Sequence, residues 1–321
     1  MAIFLSEADI TSLVTINDAI DAVSEVFKIR GDGDVINPPR QQIDIPSGYL
    51  RLTSAIVNPI KKIAVKVSSS MVFDSDSGRT LLLIDSDTGR VDAIIEVFRL
   101  GALRTAAASG IGTKLLARND ADSIGVFGTG RQAMTQISAV AAVRPIKKVL
   151  AIGRNKERLE AFCTGMTAEL GIPVIAASDP LQLYQCAILV AATTSAEPVI
   201  FGEHLKPGTH INAVGANRLE RREMDDEVLK RCALVTVDNK GQAEKESAVL
   251  LRAVEQGSLT WDDVLELGDF MTGTGTDKRT PEAITLYNSH GVAMEDVALA
   301  TKAFELALEK GVGTKVPFTL G

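Results

Sequence analysis

The feature that most constrains this chain is a glycine-rich segment, Gly128-Thr-Gly-Arg-Gln-Ala133. Residues 123–127 before it are apolar without alternation, as in a strand buried on both faces, and a helical pattern follows it. This order is the fingerprint of a dinucleotide site: Gly128 permits a tight turn, Gly130 lets the backbone approach a pyrophosphate, and Ala133 allows close helix packing. The N–H groups at the helix start would bind the pyrophosphate. Such turns also serve for packing alone, but the context favours a dinucleotide.

The residues after this segment continue the alternation of strands and helices. Further buried strands are predicted at residues 148–152, 174–177, 187–191, 210–214 and 234–237, with helical stretches between most of them. This alternation predicts an α/β fold with a doubly wound parallel sheet, the Rossmann fold. We place an NAD(P)-binding Rossmann domain at residues 119–294.

The first part of the chain has a different pattern. A helix is predicted from Thr15, which forms a capping box with Asp18, to Gly31. Strands with period-two alternation are predicted at residues 40–45, 49–54, 63–68, 80–85 and 91–96, with a hairpin turn at 46–48, and a helix of small residues at 100–117. This pattern predicts a mostly antiparallel α+β domain. A long helix at 292–309 is expected to return to it, so the domain comprises residues 1–118 and 295–321.

Composition excludes several classes of protein. The 321 residues are 45% hydrophobic and carry a formal net charge of −7, which argues against nucleic acid or an anionic membrane as a partner. The cysteines, Cys163, Cys186 and Cys232, are scattered and read as reduced core thiols, and the three histidines lack metal-ligand spacing, so no metal site is predicted. The N-terminus has no basic segment typical of a signal peptide. We therefore expect a cytoplasmic protein.

The end of the second Rossmann strand bears on the choice of cofactor. An NAD site usually carries Asp or Glu about 20 residues after the glycines, to accept hydrogen bonds from the ribose hydroxyls. Here the strand ends in Gly153-Arg-Asn-Lys156, and the first carboxylate is Glu157. The Arg154 guanidinium suits a 2′-phosphate, which favours NADP(H) over NAD(H). If Arg154 instead stacks on the adenine, the site accepts either cofactor.

Three basic residues in the first domain occupy positions where burial is expected. Lys66 interrupts an apolar strand, Arg40 opens a strand, and Arg104 lies in a helix of small residues. A buried cation needs an anion beside it, because an unpaired buried charge is costly. One interpretation leaves each cation exposed or pairs it with an acid such as Asp44 or Glu96. In the other, all three converge on a substrate carboxylate, which arginine binds in bidentate fashion.

Six segments spread over both domains form a further pattern. They are Leu103-Arg-Thr-Ala-Ala-Ala-Ser109, Gly128-Thr-Gly-Arg-Gln-Ala133, Ala192-Thr-Thr-Ser195, Ile211-Asn-Ala-Val-Gly-Ala216, Arg222-Glu-Met-Asp225 and Gly291-Val-Ala-Met-Glu-Asp296. With these segments the sequence resembles the ornithine cyclodeaminase/mu-crystallin family over nearly the whole chain. The first and fourth segments are quite specific to that family, whereas the others alone are not.

The resemblance implies a homodimer formed through the N-terminal domain. The same domain is then expected to bind the substrate. It also implies that Arg40, Lys66 and Arg104 hold the α-carboxylate of a small-molecule substrate. The predicted cofactor-binding residues are Thr105 near the phosphates, then Gly128, Thr129, Gly130, Arg131, Gln132 and Arg154, and, towards the nicotinamide, Thr193, Thr194, Ser195, Val214, Gly215, Ala216, Ser289 and His290.

One departure from the family pattern affects the predicted reaction. Cyclodeaminases of this family carry a catalytic Asp just after the Ala-Val-Gly segment, where this chain has Asn217. An amide cannot act as a general base, nor pair with a substrate ammonium as a carboxylate does. We therefore expect an NAD(P)-dependent imine reductase or amino-acid dehydrogenase. The alternatives are an ornithine cyclodeaminase-type lyase and a non-enzymatic, mu-crystallin-like binding protein.

The expected reaction is the reduction of a small α-imino acid, such as iminosuccinate or a cyclic ketimine, to the α-amino acid. Lys66 is the catalytic candidate, as a proton donor if its surroundings lower its pKa. Arg51 shares a strand face with Tyr49 and Thr53, and either binds a second substrate carboxylate or faces solvent. His290 either approaches the nicotinamide or is a structural residue at a helix start.

Overall fold

The computed structural model describes residues 1–29, 33–46, 48–71 and 78–317. The strands are β1 (Ala2–Leu5), β2 (Val35–Ile36), β3 (Gln41–Ile45), β4 (Gly48–Val57), β5 (Lys62–Met71), β6 (Arg79–Asp85), β7 (Val91–Glu96), β8 (Ser123–Phe127), β9 (Lys148–Ile152), β10 (Val174–Ala176), β11 (Ile188–Ala191), β12 (His210–Ala213), β13 (Cys232–Val237), β14 (Val264–Glu266), β15 (Ile284–Asn288) and β16 (Thr314–Val316). The α-helices are α1 (Glu7–Leu13), α2 (Ile16–Phe27), α3 (Phe98–Leu116), α4 (Arg131–Val143), α5 (Lys156–Leu170), α6 (Asp226–Arg231), α7 (Lys240–Glu246), α8 (Ala248–Glu255), α9 (Leu267–Met271) and α10 (Ala293–Lys310).

The chain divides into two compact units. Unit 1 comprises Met1–Arg104 with Gly291–Gly321, and unit 2 comprises Thr105–His290. The first division falls inside α3, whereas the sequence analysis places a boundary after that helix, at residue 118. The second falls just before α10, whereas the sequence analysis places it at residue 295. A helix that continues through a division shows no change of composition there, so the sequence carries no sign of the position.

Unit 1 is built on a sheet of alternating strands. Within the described residues its order is β16-β1-β7-β6-β5-β4-β2, with β3 paired to β4. The strands from β7 to β3 pair antiparallel, as predicted. The parallel pairing of β1 with β7 was not predicted, because a four-residue strand gives little periodicity to read.

One face of this sheet is covered by helix α10, which in turn packs against α2. Helix α2 begins as predicted at a capping box, in which the Asp18 carboxylate accepts from the N–H of Thr15 at 3.0 Å. Its predicted end at Gly31, like Ser47 in the predicted hairpin turn, lies outside the described residues. Helix α10 packs against α2, β4 and β5. The last helix thus lies within unit 1, the part of the chain to which it was expected to return.

The other face of the same sheet is apolar and partly exposed. Leu52 and Val67 are cross-strand partners on it, as are Ile43 and Leu50. Val67 is 39% exposed and Ile43 51% exposed. We call this surface, with Ile45, Ile63 and Val65, the apolar sheet face.

Unit 2 is a doubly wound parallel sheet, which confirms the predicted fold class. Within the described residues its order is β10-β9-β8-β11-β12-β15-β13-β14, and every pairing is parallel. The winding direction changes between β8 and β11. In open α/β sheets, ligands bind outside the carboxyl ends of the strands at this switch point. Strands β14 and β15 were not predicted, because they follow less regular segments of the sequence.

The described part of the chain contains neither a membrane-spanning helix nor a metal site. Among those residues no helix has the length and apolar character needed to cross a bilayer, and no group of His, Cys, Asp and Glu side chains is arranged to hold a metal ion. The cysteines form no disulfides. Burial raises the pKa of Cys186 to about 11 and that of Cys232 to about 12, so both thiols stay protonated and unreactive at neutral pH.

Candidate functional site

The turn between β8 and α4 has the backbone that a dinucleotide site requires. Gly128 has a φ of +106°, a left-handed value that favours glycine. A Cβ at this position would lie 2.5 Å from the carbonyl oxygen of Ala192, which follows β11. Gly128 therefore lets the turns after β8 and β11 lie against each other at the switch point of the sheet.

Gly130 meets a different requirement of the same turn. It is the N-cap of α4, and a Cβ added to it would meet nothing within 4 Å. The helix therefore begins beside open space, with its first backbone N–H groups lacking partners inside the helix. Ala133 is fully buried, so α4 packs closely on the sheet. These features fit the pyrophosphate of a dinucleotide.

The residues that are expected to determine the preference for NADP(H) or NAD(H) follow β9. A Cβ on Gly153 would lie 2.9 Å from Cγ2 of Thr129, so the strand end packs on the glycine-rich turn. Arg154 comes next and is exposed. Asn155 caps α5, where its side chain accepts from the N–H of Arg158 at 2.8 Å. Arg154, rather than a carboxylate, thus occupies the strand end beside the glycine-rich turn.

The other predicted cofactor residues of unit 2 follow neighbouring strands, apart from Thr105, which is buried in α3. Residues 193–195 follow β11, residues 214–216 follow β12, and residues 289–290 follow β15. Since β11, β12 and β15 are parallel neighbours, their carboxyl ends lie at one edge of the sheet. The fold therefore brings these segments to the edge that carries Gly128.

A buried carboxylate that the sequence analysis did not select joins two of these segments. Glu223 is 2% exposed. It accepts hydrogen bonds from the backbone N–H groups of Thr193 at 2.6 Å, Gly215 at 2.7 Å and Ala216 at 3.2 Å. Its sequence context does not single it out, because a glutamate that follows Arg222 in a charged run gives no sign of burial.

His290 lies beside another buried carboxylate, Asp238, which follows β13. The backbone N–H of His290 donates to Asp238 Oδ2 at 2.8 Å, and the Ser289 hydroxyl donates to the same oxygen at 3.3 Å. His290 Nδ1 is 3.5 Å from Asp238 Oδ1, and both side chains are fully buried. The carboxylate thus holds the backbone of this turn and lies beside the imidazole. The role of His290 toward a cofactor stays a prediction.

Lys66 is the central cation of unit 1. It lies on β5 opposite Thr53 of β4, on the face that α10 covers. Its ammonium pairs with the carboxylate of Asp296 in the first turn of α10. Burial lowers the pKa of Lys66 to about 8 against the opposing charge of Asp296, and the cations of Arg104 and Arg40 lower it as well. Such a perturbed lysine is typical of functional sites.

Arg104 reaches the same acidic helix start from α3. Its Nη1 donates to Glu295 Oε2 at 2.8 Å, and its Nε donates to Asp296 Oδ1 at 3.1 Å. Burial acts to raise the pKa of Asp296, but the cations of Arg104 and Lys66 outweigh it and hold that pKa below its usual value. Gly291 makes room for the guanidinium, because a Cβ there would collide with Arg104 Nη1.

Arg40 completes the group. Its Nη2 donates to the carbonyl oxygen of Gly291 at 3.0 Å. The structure therefore brings the predicted cations Arg40, Lys66 and Arg104 together around the start of α10. We call these residues, with Glu295 and Asp296, the ionic cluster.

The acids of the ionic cluster are the site residues that the sequence analysis missed in unit 1. Asp44, one of its candidate partners, instead accepts from Gln42 at 2.8 Å, and Glu96 binds the start of α1. A signal was available, because Glu295 and Asp296 interrupt a long run of small and apolar residues. A helix that is apolar on all sides is buried, and buried acids need cations.

Arg51 lies on the same sheet face as Lys66. It is opposite Ser68, two positions along β5 from Lys66. Its Nη2 donates to Gln42 Oε1 at 2.9 Å, and its guanidinium lies 5.1 Å from the centre of the Tyr49 ring. Arg51 therefore shares a sheet face with Lys66, and its role toward a second substrate carboxylate stays a prediction.

Known proteins share this sequence pattern and this structure. The model of the ornithine cyclodeaminase/mu-crystallin family matches residues 1–311. The solved structure of Δ1-pyrroline-2-carboxylate reductase from Thermococcus litoralis, in complex with NADH and L-proline, is 33% identical with a TM-score of 0.92, and the match covers 98% of this chain and 100% of that chain.

Two further solved structures match over nearly their whole length. An archaeal alanine dehydrogenase dimer with bound NAD is 30% identical with a TM-score of 0.91, and the match covers 99% of each chain. The iminosuccinate reductase of Paracoccus denitrificans, in complex with NAD+, is 28% identical with a TM-score of 0.91, again over 99% of each chain. The chain therefore belongs to the ornithine cyclodeaminase/mu-crystallin family.

Proposed function

We propose that this protein is an NAD(P)H-dependent reductase that converts a small α-imino acid to the α-amino acid. The observation that carries the proposal is the convergence of Arg40, Lys66 and Arg104 at the start of α10, in a chain whose other unit has a dinucleotide turn. The similarity to two reductases and a dehydrogenase that hold NADH, NAD or NAD+ supports a nicotinamide cofactor.

Unit 2 holds the cofactor in this proposal. The start of α4 after Gly130 binds the pyrophosphate, Arg154 lies at the adenosine end, and residues 193–195 and 214–216 surround the nicotinamide. When bound, the reduced cofactor supplies a hydride. The similar structures hold NAD(H), whereas Arg154 suits a 2′-phosphate, so both cofactors must be tested.

In this proposal unit 1 binds the substrate and supplies the proton that joins the imine nitrogen. Arg40 and Arg104 bind the α-carboxylate in charge-assisted hydrogen bonds. The C=N π bond breaks as the hydride joins the carbon and a proton joins the nitrogen. Lys66 supplies that proton, because its pKa of about 8 lets the ammonium donate near neutral pH. Near-normal turnover of Lys66→Met at saturating substrate would exclude this role.

The same residues argue against deamination. The position after the segment 214–216 carries Asn217, which cannot act as a carboxylate base. A lyase of the cyclodeaminase type is therefore disfavoured, since it needs a base to move protons on the substrate amine. Ammonia released from ornithine by the purified protein would overturn this part of the proposal.

Arg51 sets the side-chain preference in our proposal. It lies on the same sheet face as Lys66 and is its diagonal neighbour on the adjacent strand. Diagonal neighbours are about 7–8 Å apart, so one small substrate can place its α-carboxylate near Lys66 and a second carboxylate at Arg51. Iminosuccinate is then the favoured substrate. Cyclic ketimines, which have one carboxylate, are the alternative.

We further propose that the protein is a homodimer in the cytoplasm. A second copy covers the apolar sheet face, where Ile43 is 51% and Val67 39% exposed. Exposed apolar surface of this kind marks an interface, and the similar alanine dehydrogenase structure is a dimer. The unpaired thiols support a reducing compartment.

Sedimentation tests the dimer directly. Val67→Lys puts a charge on the apolar sheet face and is expected to shift the dimer to monomer. Ile175→Lys is the matched control, because Ile175 is 50% exposed but lies in unit 2. Equal behaviour of the two variants would contradict the assignment of the interface.

The reaction is tested by the loss of NADPH or NADH absorbance with purified protein. The substrates are oxaloacetate, pyruvate and glyoxylate, each with ammonia or methylamine, and the cyclic imines that correspond to proline and pipecolate. We expect oxidation with at least one imine and none with the oxo acids alone. Binding of both cofactors without turnover of any imine would instead favour the binding-protein alternative.

A further inference from the structure

Glu223 is a buried acid that the reaction proposed above does not use. Its side chain joins segment 193–195 after β11 to segment 214–216 after β12. One carboxylate oxygen accepts from the N–H of Thr193, and the other accepts from those of Gly215 and Ala216. The two turns are thus held together by one side chain.

The backbone around Glu223 is held as firmly as its side chain. The N–H groups of Val199 and Ile200 both donate to the Glu223 carbonyl oxygen at 2.9 Å. Gly215 lies so close that a Cβ on it would collide with the backbone of Thr193 and with the Glu223 carboxylate. A shorter side chain at this position would not reach both turns, and a longer one would have no space, so the arrangement fits a side chain of the length of glutamate.

The bonding pattern favours an ionised carboxylate, because the three backbone groups that bind its oxygens are all donors. Each oxygen faces at least one N–H donor, and a protonated oxygen would turn a donor toward a donor. Burial raises the pKa of Glu223 above its ordinary value, although the N–H and hydroxyl of Thr193 and the N–H groups of Gly215 and Ala216 act to lower it. On the hydrogen-bonding pattern we take Glu223 as ionised, so that a negative charge lies behind two turns at the edge of the sheet where the cofactor binds in our proposal.

We propose that Glu223 is a positioning residue that holds these two turns in the form that binds the nicotinamide, and that its charge favours the oxidised cofactor over the reduced one. The inference rests on the proposed function, since it needs a nicotinamide at these turns. The oxidised ring carries a positive charge that the reduced ring lacks, so a nearby carboxylate stabilises the oxidised form. The same charge assists the departure of a hydride from the reduced form.

The test measures the Kd of NAD+ and of NADH for the wild-type protein and for Glu223→Gln, in the absence of substrate. The amide keeps the shape but turns an NH₂ toward a backbone N–H. Leaving a buried N–H without an acceptor weakens NADH binding by roughly 5- to 100-fold. Loss of the charge weakens NAD+ binding by about a further 3- to 10-fold.

A neighbouring carboxylate provides the matched control. Asp225 accepts from the N–H groups of Gly202 at 2.9 Å and Val228 at 3.1 Å, where it caps α6 and touches neither turn. Asp225→Asn is expected to lower the melting temperature without changing the ratio of the two Kd values. If Glu223→Gln does not fold, Glu223→Asp replaces it and is expected to weaken both cofactors equally, because the charge remains.

The outcomes separate the inference from the proposed function. A wild-type protein that binds neither NAD(H) nor NADP(H) refutes the proposed function itself. If the wild type binds and Glu223→Gln binds within about twofold of it, or loses both cofactors by the same factor, the inference about Glu223 is wrong. Unchanged binding by a folded Glu223→Asp would refute it equally.

Discussion

Both units bury carboxylates, but they stabilise them in different ways. In unit 1, Glu295 and Asp296 are paired with the side chains of Lys66 and Arg104. In unit 2, Glu223 is bound by backbone N–H groups from two turns. A side-chain cation can exchange its partner when an anionic ligand arrives, whereas a carboxylate held by the backbone keeps the chain itself in shape.

The difference predicts how each unit responds to substitution. Removing a charge from the ionic cluster leaves opposite charges buried without compensation, so unit 1 is sensitive to charge. Changing shape at the turns of unit 2 moves the backbone that binds the cofactor, so unit 2 is sensitive to volume. The predictions below test this contrast, beginning with the largest expected effect.

Arg104→Met should destabilise the protein most. The substitution removes the guanidinium that pairs with both buried carboxylates, Glu295 and Asp296, and breaking a buried ion pair in this way costs about 3–5 kcal/mol. The free energy of unfolding from urea titration measures the effect. Arg222→Met is the control, because its partly exposed pair with Asp226 is worth at most about 1 kcal/mol. Similar losses of unfolding free energy in the two variants would contradict the idea that unit 1 is especially sensitive to charge.

Gly128→Ala and Gly130→Ala should differ although they lie two residues apart. The first places a Cβ against the Ala192 carbonyl at a positive φ and should cost about 2–4 kcal/mol of stability, together with cofactor binding. The second has open space and should change stability by less than about 0.5 kcal/mol.

Gly130→Ala nevertheless tests where the cofactor binds. If the pyrophosphate approaches this backbone, the added methyl should raise the Kd of the cofactor by about tenfold through overpacking. Gly165→Ala is the control, because Gly165 also has open space but lies within α5. An unchanged Kd in Gly130→Ala would place the pyrophosphate elsewhere.

Arg51→Leu should change specificity more than stability. Removing a charged hydrogen-bond donor should lower kcat/KM for a dicarboxylate imine about 10- to 100-fold. For a monocarboxylate imine kcat/KM should stay within about threefold, because the ionic cluster remains intact. Parallel assays of iminosuccinate and a cyclic ketimine make the measurement. Equal losses for both substrates would show that Arg51 does not select a second carboxylate.

The smallest effect concerns pH. Lys66 is charged below its pKa of about 8, so kcat/KM should fall as pH rises through that value and the cation is lost. In Asp296→Asn the partner that keeps Lys66 protonated is gone, and the fall should begin at a lower pH. The pH profile of kcat/KM for both proteins measures this. A profile that does not move in Asp296→Asn would exclude Lys66 as the titrating group.

Local sequence patterns predicted the glycine-rich turn, the start of α2 and the cations of the ionic cluster. Gly128 and Gly130 mark the turn because backbone geometry forces the choice of glycine there, and the capping box of α2 is a contact between Thr15 and Asp18, three residues apart. The predicted cations Arg40, Lys66 and Arg104 were selected because a charge inside an apolar or small-residue pattern requires a partner. These are all properties of a residue and its near neighbours in the chain.

The partners of those residues depend on contacts that are distant in sequence. Lys66 meets Asp296 across 230 positions, and Arg104 meets Glu295 across 191. Glu223 was missed for the same reason, since its burial follows from the pairing of residues 199–200 with residues 223–224 and from its bonds to the turns after β11 and β12. The local sequence around a residue predicts the helix or strand in which it lies, and the residue type gives its charge. Which charge it meets follows from the packing of the elements, because that packing sets the distances over which electrostatic pairing acts.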